Sequence, residues 1–370
     1  MSSTLATTVA PLRYSPSFEH PETDEAKSLA DINAQMRRIQ EKTYADGGKA
    51  IRSVHAKSHG LLVGELRILD GLPPELAQGL FVQPGVLPLV MRLSTTPGDL
   101  LPDNVSTPRG MAIKVIGVQG TRLAGSEGDA TQDFLLVNGP AFNKPDASSF
   151  ARSLKLLAPT TDKAEGTKQV LSAALRGIES VVEAAGGKSA TLTALGGHPE
   201  TNPLGETYYS QVPILFGEYF GKICVRPLSP ALQALHAAPV DLTDRPDGLR
   251  DAVAAHFEEQ GGEWELCVQL CTDIGRMPIE DASVAWDETL SPYRPVARIV
   301  AGAQAAWSDA KAHAIDEGLS FNPWHGIAAH RPLGGVMRVR KGAYEAAARF
   351  RAERNQRTLS EPKAIGDIGL

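Results

Sequence analysis

The sequence predicts an α+β fold, in which a central antiparallel β unit closes into a barrel and helices are appended around it. Three observations carry that expectation. Between residues 50 and 140, short β-rich runs alternate with Gly, Pro and Asp, the pattern of sequential strands joined by tight links. The stretches 24–45, 145–197 and 301–357 instead carry helical apolar spacing. The composition is that of an ordinary globular protein, 42% apolar and 22% charged over 370 residues. A chain of this length buries a large core and still has room for a cofactor cavity.

In chain order, residues 1–22 read as an extended arm, because Pro11, Pro16 and Pro21 block helix. Asp24 can cap a helix over 24–45, where Leu29, Ile32, Met36 and Ile39 keep helical spacing. RSVHAKSHGLLVGELRIL, LPLVMRLST, RGMAIKVIGVQG and DFLLVNGP then read as strands. Ser149 to Leu157 and Thr167 to Ala185 read as helices, the second stopped by the glycines at 186–187. Strands return at 206–228 and 263–272, with a helix at 248–260 between them. The last stretch, 301–357, reads as mostly helical, interrupted by FNPWHG at 321–326.

Composition also narrows the function. The formal charge is −6 and the pI about 5.9, so no chain-wide nucleic-acid footprint is expected. Mean hydropathy is −0.16 and no apolar run approaches a membrane span, so no membrane partner is expected. Met1 to Asp24 has neither a basic start nor an apolar core, so secretion is not indicated and a cytoplasmic location is expected. The three cysteines, Cys224, Cys267 and Cys271, do not form a disulfide framework. Cys267 and Cys271 lie in an apolar strand-like run and read as buried small hydrophobes.

Common nucleotide, zinc and hydrolase motifs are absent, and three local clusters remain. RSVHAKSH places His55 and His59 beside Arg52 and Lys57 in a strand-like segment. The readings open there are a structural role, acid–base work by an imidazole, or metal ligation. RKGAY puts Arg340 and Tyr344 four apart on one helix face. A guanidinium beside a phenol oxygen favours the phenolate, a hard ligand for ferric iron; the plain alternative is an amphipathic helix. Around that tyrosine, eight cations between Arg331 and Arg357 face only Glu345 and Glu353. They read either as a solvated basic helix or as a site for carboxylates or phosphates.

Taken together, these clusters resemble the haem catalase family. RSVHAKSHG resembles the segment R-x-x-H-A-K-G, which carries the distal histidine, and Arg340-x-x-x-Tyr344 resembles the proximal R-x-x-x-Y. Between them, in family order, MRLSTTPGD, STPRGMAIKV, DFLLVNGPAFNKPDASSF, WELCVQLC with Asp281 and Trp286, and FNPWHG are similar to further family segments. Arg349 and Arg351 fall at the family's R-x-R spacing. The resemblance covers roughly residues 45–355.

It implies roles residue by residue. His55 is expected as the distal acid–base residue, Ser94 behind it orienting the ring, and Asn138 as the distal amide. Tyr344 is expected as the axial iron ligand and Arg340 as its phenolate partner. Arg52, Arg92 and Arg351 are expected to hold haem propionates. Val54, Phe142, Phe150 and Phe321 are expected to line the cofactor, with Phe150 over the distal face. The family has two adjacent asparagines where this chain reads Val137-Asn138, and the catalytic one is usually the first. Consecutive strand residues face opposite sides, so register decides whether an amide reaches the peroxide. Asn143 and Pro145 stand in place of a family Phe and Arg. The sequence ends soon after the ligand helix, so neither NADPH nor a flavodoxin-like domain is expected, and the chain looks like a minimal catalase-like protein.

The implied organisation is an N-terminal arm and helix over 1–45, a haem domain over 46–357 and a tail over 358–370. The implied function is hydroperoxide decomposition on haem b and its iron, as a catalase or as a peroxidase using a small organic donor, in a homo-oligomer. Two alternatives stand beside it. One is a fatty-acid hydroperoxide enzyme like allene oxide synthase, whose relatives tend to carry Thr where this chain has Val54. The other is a non-enzymatic haem-binding protein, which would need Tyr344 and the arginines but not His55.

Overall fold

The computed structural model describes residues 9–157 and 198–370. Nine strands form one antiparallel sheet: β1 Ser58–Ile68, β2 Gly85–Thr95, β3 Arg109–Ile116, β4 Thr131–Val137, β5 Tyr208–Tyr209, β6 Ile214–Phe216, β7 Tyr219–Pro227, β8 Gly262–Leu270 and β9 Arg294–Ala301. The spatial order is β5-β4-β3-β2-β1-β9-β8-β7-β6, and an added pairing of β5 with β7 closes eight strands into a barrel with β6 as an extra strand. Closure rests on little. Val137 pairs with Tyr209 on one side, and Tyr208 and Tyr209 pair with Val225 and Cys224 on the other.

The alternation expected of strands sorts side chains into two faces. Leu62, Met91, Ile113, Phe134, Val268 and Ile299 point inward and form the dry barrel core. Leu61, Val90, Arg92, Ser94, Gly110 and Val137 lie on the opposite face, fixed by their mutual pairing. Three helices, α1 Glu25–Gly47, α2 Ala147–Leu157 and α4 Gly335–Arg354, pack on one another, while α3 Gly248–Glu259 packs on β1. The predicted stripe on α1 does its work here. Ile32 and Met36 pack against Ala147, Ala151 and Leu154 of α2 and against Val339 and Ala343 of α4. The α1–α4 contact is close enough that a Cβ at Gly342 would come within 2.9 Å of Leu29.

Several expectations are corrected. Asp24 sits at the start of α1, but its carboxylate makes no capping bond. The arm contains a helical turn at Pro16–Phe18. Residues 301–308 are not helical. Ser308 caps a short turn at Asp309–Lys311 that widens into a π-helical turn at Ala312–Glu317. Strand β9 has no counterpart in the sequence reading. The helix expected over Thr167 to Ala185 lies outside the described residues. Among the described residues, no helix is long and apolar enough to cross a membrane.

Candidate active site

His55 does not lie in a strand. It occupies a turn before β1 with φ 53°, a conformation that few non-glycine residues adopt. Its amide donates to Thr96 O at 2.9 Å, and its carbonyl accepts from Arg92 Nη2 at 2.8 Å. The ring Nδ1 shares a 3.0 Å hydrogen bond with Ser94 Oγ. The ring lies so close to β3 that a Cβ on Gly110 would stand 2.5 Å from its atoms. His55 is deep in the molecule yet keeps some accessible surface. Burial, with the charges of Arg92, Arg340 and Arg52, lowers its pKa to about 3. The imidazole is therefore neutral at ordinary pH.

His59 follows four residues later but serves another purpose. It is fully buried, with Nε2 3.2 Å from Thr95 Oγ1, and burial and Lys57 hold it neutral. The two histidines do not share a metal site.

On α4, Arg340 Nη2 donates to Tyr344 Oη at 2.9 Å, with the guanidinium carbon 5.2 Å from the ring centre. Both residues are half-buried. The Arg340 charge also helps to lower the His55 pKa, so the two ends of the sequence motif lie within electrostatic reach of each other. Val54 and Phe150 pack at the edge of the α1–α2–α4 cluster, and Phe142 on Met337 and Val336. Phe142 and Phe150 meet edge to face at 5.1 Å. Phe321 stands apart on the outer side of the sheet, buried between Arg52 and Lys114.

Arg52, Arg92 and Arg351 converge on the π-helical turn. Arg92 Nε and Arg52 Nη1 both reach the Asp316 carboxylate, the latter at 3.3 Å. Arg351 Nη1 donates to the Asp316 carbonyl at 2.9 Å, and Arg52 Nη2 to the Leu319 carbonyl at 3.1 Å. Burial and mutual repulsion lower the pKa of Arg52, and lower that of Arg351 to about 10. Burial opposes the charge of Asp316, but Arg92 and Arg52 outweigh it. Asp316 carried no signal in the sequence. Of the other cations of this stretch, Arg338 pairs with Glu19, Glu25 and Glu280, and Arg331 with Glu19, far along the chain, whereas Lys341 pairs with nearby Glu345.

Asn138 is not brought to His55. Pairing of Gly110 with Val137 puts Val137, not Asn138, on the face that touches the histidine. Asn138 turns the other way and is fully engaged. Its Oδ1 accepts from Arg109 N at 2.8 Å, and its Nδ2 donates to Glu206 and to His198 Nε2, the latter at 2.7 Å. The period of two in β4 thus turns the Asn138 amide away from the histidine side and presents Val137 there. A further buried group unites Asp133, His325 and Glu361. Lys114 already supplies its positive charge, bonding to both acids; burial opposes that charge, but Asp133 and Glu361 outweigh burial and raise its pKa.

No protein-family model and no curated sequence matches the chain. Among solved structures, the fold is similar to that of a fungal catalase, with TM-score 0.59 and 17% identity over 84% of this chain and 61% of that one. It is similar to catalase A from Saccharomyces cerevisiae, with TM-score 0.58 and 16% identity over 85% and 64%. A bacterial catalase gives TM-score 0.55 and 16% identity over 84% and 59%. The chain spans about three fifths of the length of these catalases. Their shared architecture is the antiparallel barrel with surrounding helices described above, and the chain has this catalase-like fold.

Proposed function

We propose that the chain binds haem b and decomposes hydroperoxides, and that residues 46–357 form the haem-binding unit. The observation that carries this reading is that His55, held by Ser94, lies within electrostatic reach of Arg340, which bonds Tyr344, and beside a cradle of three arginines. The residues fit the group. Tyr344 offers a phenol oxygen that accepts from Arg340, and half-buried Val54, Phe142 and Phe150 offer apolar walls. Three arginine charges less one on Asp316 leave two, the number that two propionates neutralise.

When bound, haem supplies the redox chemistry that splits the O–O bond. The protein residues move the proton. With Nδ1 donating to Ser94 Oγ, the Nε2 lone pair of His55 takes the proton from one peroxide oxygen and returns it to the other. Val137 favours peroxidase over catalase chemistry. A second hydrogen peroxide needs a polar partner opposite His55, and a valine there offers none, whereas a larger organic donor does not depend on it. The substrate class is a hydroperoxide, the co-substrate a small organic donor.

The test separates the two ends of the site. Tyr344→Phe should lose haem or shift its absorption spectrum. His55→Ala should keep haem and lose hydroperoxide cleavage by roughly 10²- to 10⁴-fold. Unchanged spectra in the first variant, or unchanged turnover in a haem-replete second, would refute the assignment.

A further inference from the structure

A row of paired residues runs around the barrel from the histidine. Ser94 pairs with Gly110, Gly110 with Val137, Val137 with Tyr209, Tyr209 with Cys224 and Cys224 with Cys267. Paired residues of an antiparallel ladder project to one face, so the row stays on the outer side, where Ser94 meets His55. Its far end is chemically distinct. Cys224 and Cys267 are free thiols, 2% and 0% exposed, packed with Tyr293 and Tyr209. The two tyrosine rings lie 5.8 Å apart.

Directly opposite residues have Cα atoms roughly 4.5–5.5 Å apart, within the span a disulfide bridges. The two thiols already interact: the hydrogen bond with Cys267, and then burial, push the Cys224 pKa up. The ladder between β8 and β9 shifts register between Leu266 and Cys267, and the bulge provides the slack that closure of the two Cβ atoms requires. Buried, protonated thiols react poorly with peroxide from solution. An electron route does not need the peroxide to reach them. Tyr209 touches the thiol cluster and stands three strand spacings, roughly 14 Å, from Ser94 along the row.

We propose that Cys224 and Cys267 are a built-in two-electron donor for the hydroperoxide reaction, reached through Tyr209, and close into a cross-strand disulfide. The proposal rests on the function proposed above. In the overall reaction the hydroperoxide O–O bond breaks and one S–S bond forms. Each thiol gives up one electron and its proton. The hydroperoxide takes up both electrons and both protons and leaves as an alcohol, or water, plus water. Tyr209 passes each electron in turn and ends unchanged.

Haem-loaded full-length protein treated with hydrogen peroxide, without added donor, tests this by denaturing alkylation and intact mass. The expected result is loss of two hydrogens, a mapped Cys224–Cys267 link, and alkylation of Cys271 alone. Cys224→Ser should abolish the link. Tyr209→Phe should slow its formation severalfold while haem absorption is retained. If peroxide is consumed while Cys224 and Cys267 remain alkylated, or if Tyr209→Phe forms the link at the unaltered rate, the donor role is overturned. If the haem-loaded protein consumes no peroxide, the function proposed above falls, and this inference with it.

Discussion

His55 and Gly110 fit each other so closely that the smallest side-chain addition is decisive. A methyl group on Gly110 would overlap the imidazole at 2.5 Å and also stand 3.0 Å from Ser94 Oγ. Gly110→Ala should therefore displace His55 while leaving the arginine cradle and Tyr344 in place. Haem absorption should persist and hydroperoxide cleavage should fall by roughly the 10²–10⁴ that acid–base assistance is worth. Stopped-flow kinetics on a haem-quantified sample checks it; retained cleavage would contradict the contact. The residues of this neighbourhood were legible in the sequence where a motif is local, as with Arg52, His55, Arg340 and Tyr344. They were not legible where a partner comes from afar. Counting acids near Arg338 along the chain found Glu345 and Glu353, whereas its true partners are Glu19, Glu25 and Glu280.

Two elements decide what the site can do. In β4, alternation presents Val137 to the histidine side and buries Asn138 in a separate network. Val137→Asn should place an amide there and raise the ratio of oxygen evolution to dye oxidation, measured on one sample; an unchanged ratio would deny the strand that role. The motif alone left two residues competing, because one step of register exchanges the faces of a strand. The π-helical turn Ala312–Glu317 places Asp316 among three arginines. Asp316→Ala should destabilise the haem-free protein by up to about 3 kcal/mol, since buried cations lose their counter-charge. It should also tighten haem binding, because the propionates no longer share the cradle. Thermal melting of haem-free protein and a haem titration read the two effects, and a weaker haem complex would contradict the second. The turn was read as ordinary helix because small residues dominate 301–314, and apolar spacing does not distinguish an α from a π turn.

Four buried histidines are held neutral across the molecule: His55 and His198 at about 3, His330 at about 4, and His59 well below its ordinary value, each chiefly by burial. Two have a ring nitrogen already accepting a bond, His330 from Leu80 N at 2.9 Å and His198 from Asn138. The unfolded chain binds protons that the folded one refuses, so stability rises with pH from about 3 to about 6.5 and is lost on acidification through that window. Each histidine tilts it by about 1.4 kcal/mol per pH unit. Denaturant midpoints of haem-free protein at pH 5 and 7 should differ accordingly, and His330→Gln, which can keep the bond from Leu80, should reduce the difference. At this scale the sequence was most informative: sequential short strands with tight links announce an antiparallel barrel, though not the number of its strands. What it concealed was β9 and the brevity of β5.

That brevity governs how the cylinder breathes. A two-residue strand joined by one pair on one side and two on the other is the least protected part of the ring. Its amide hydrogens should exchange with deuterium well before those of Ile113 or Val268, at an opening free energy far below that of global unfolding. Each opening frees the edges of β4 and β7 together, and Cys224 lies on β7. A reductant in solution meets that sulfur only in opened molecules, so the pace of its return to the thiol form is set by the frequency of opening at Tyr208 and Tyr209 rather than by the strength of the reductant.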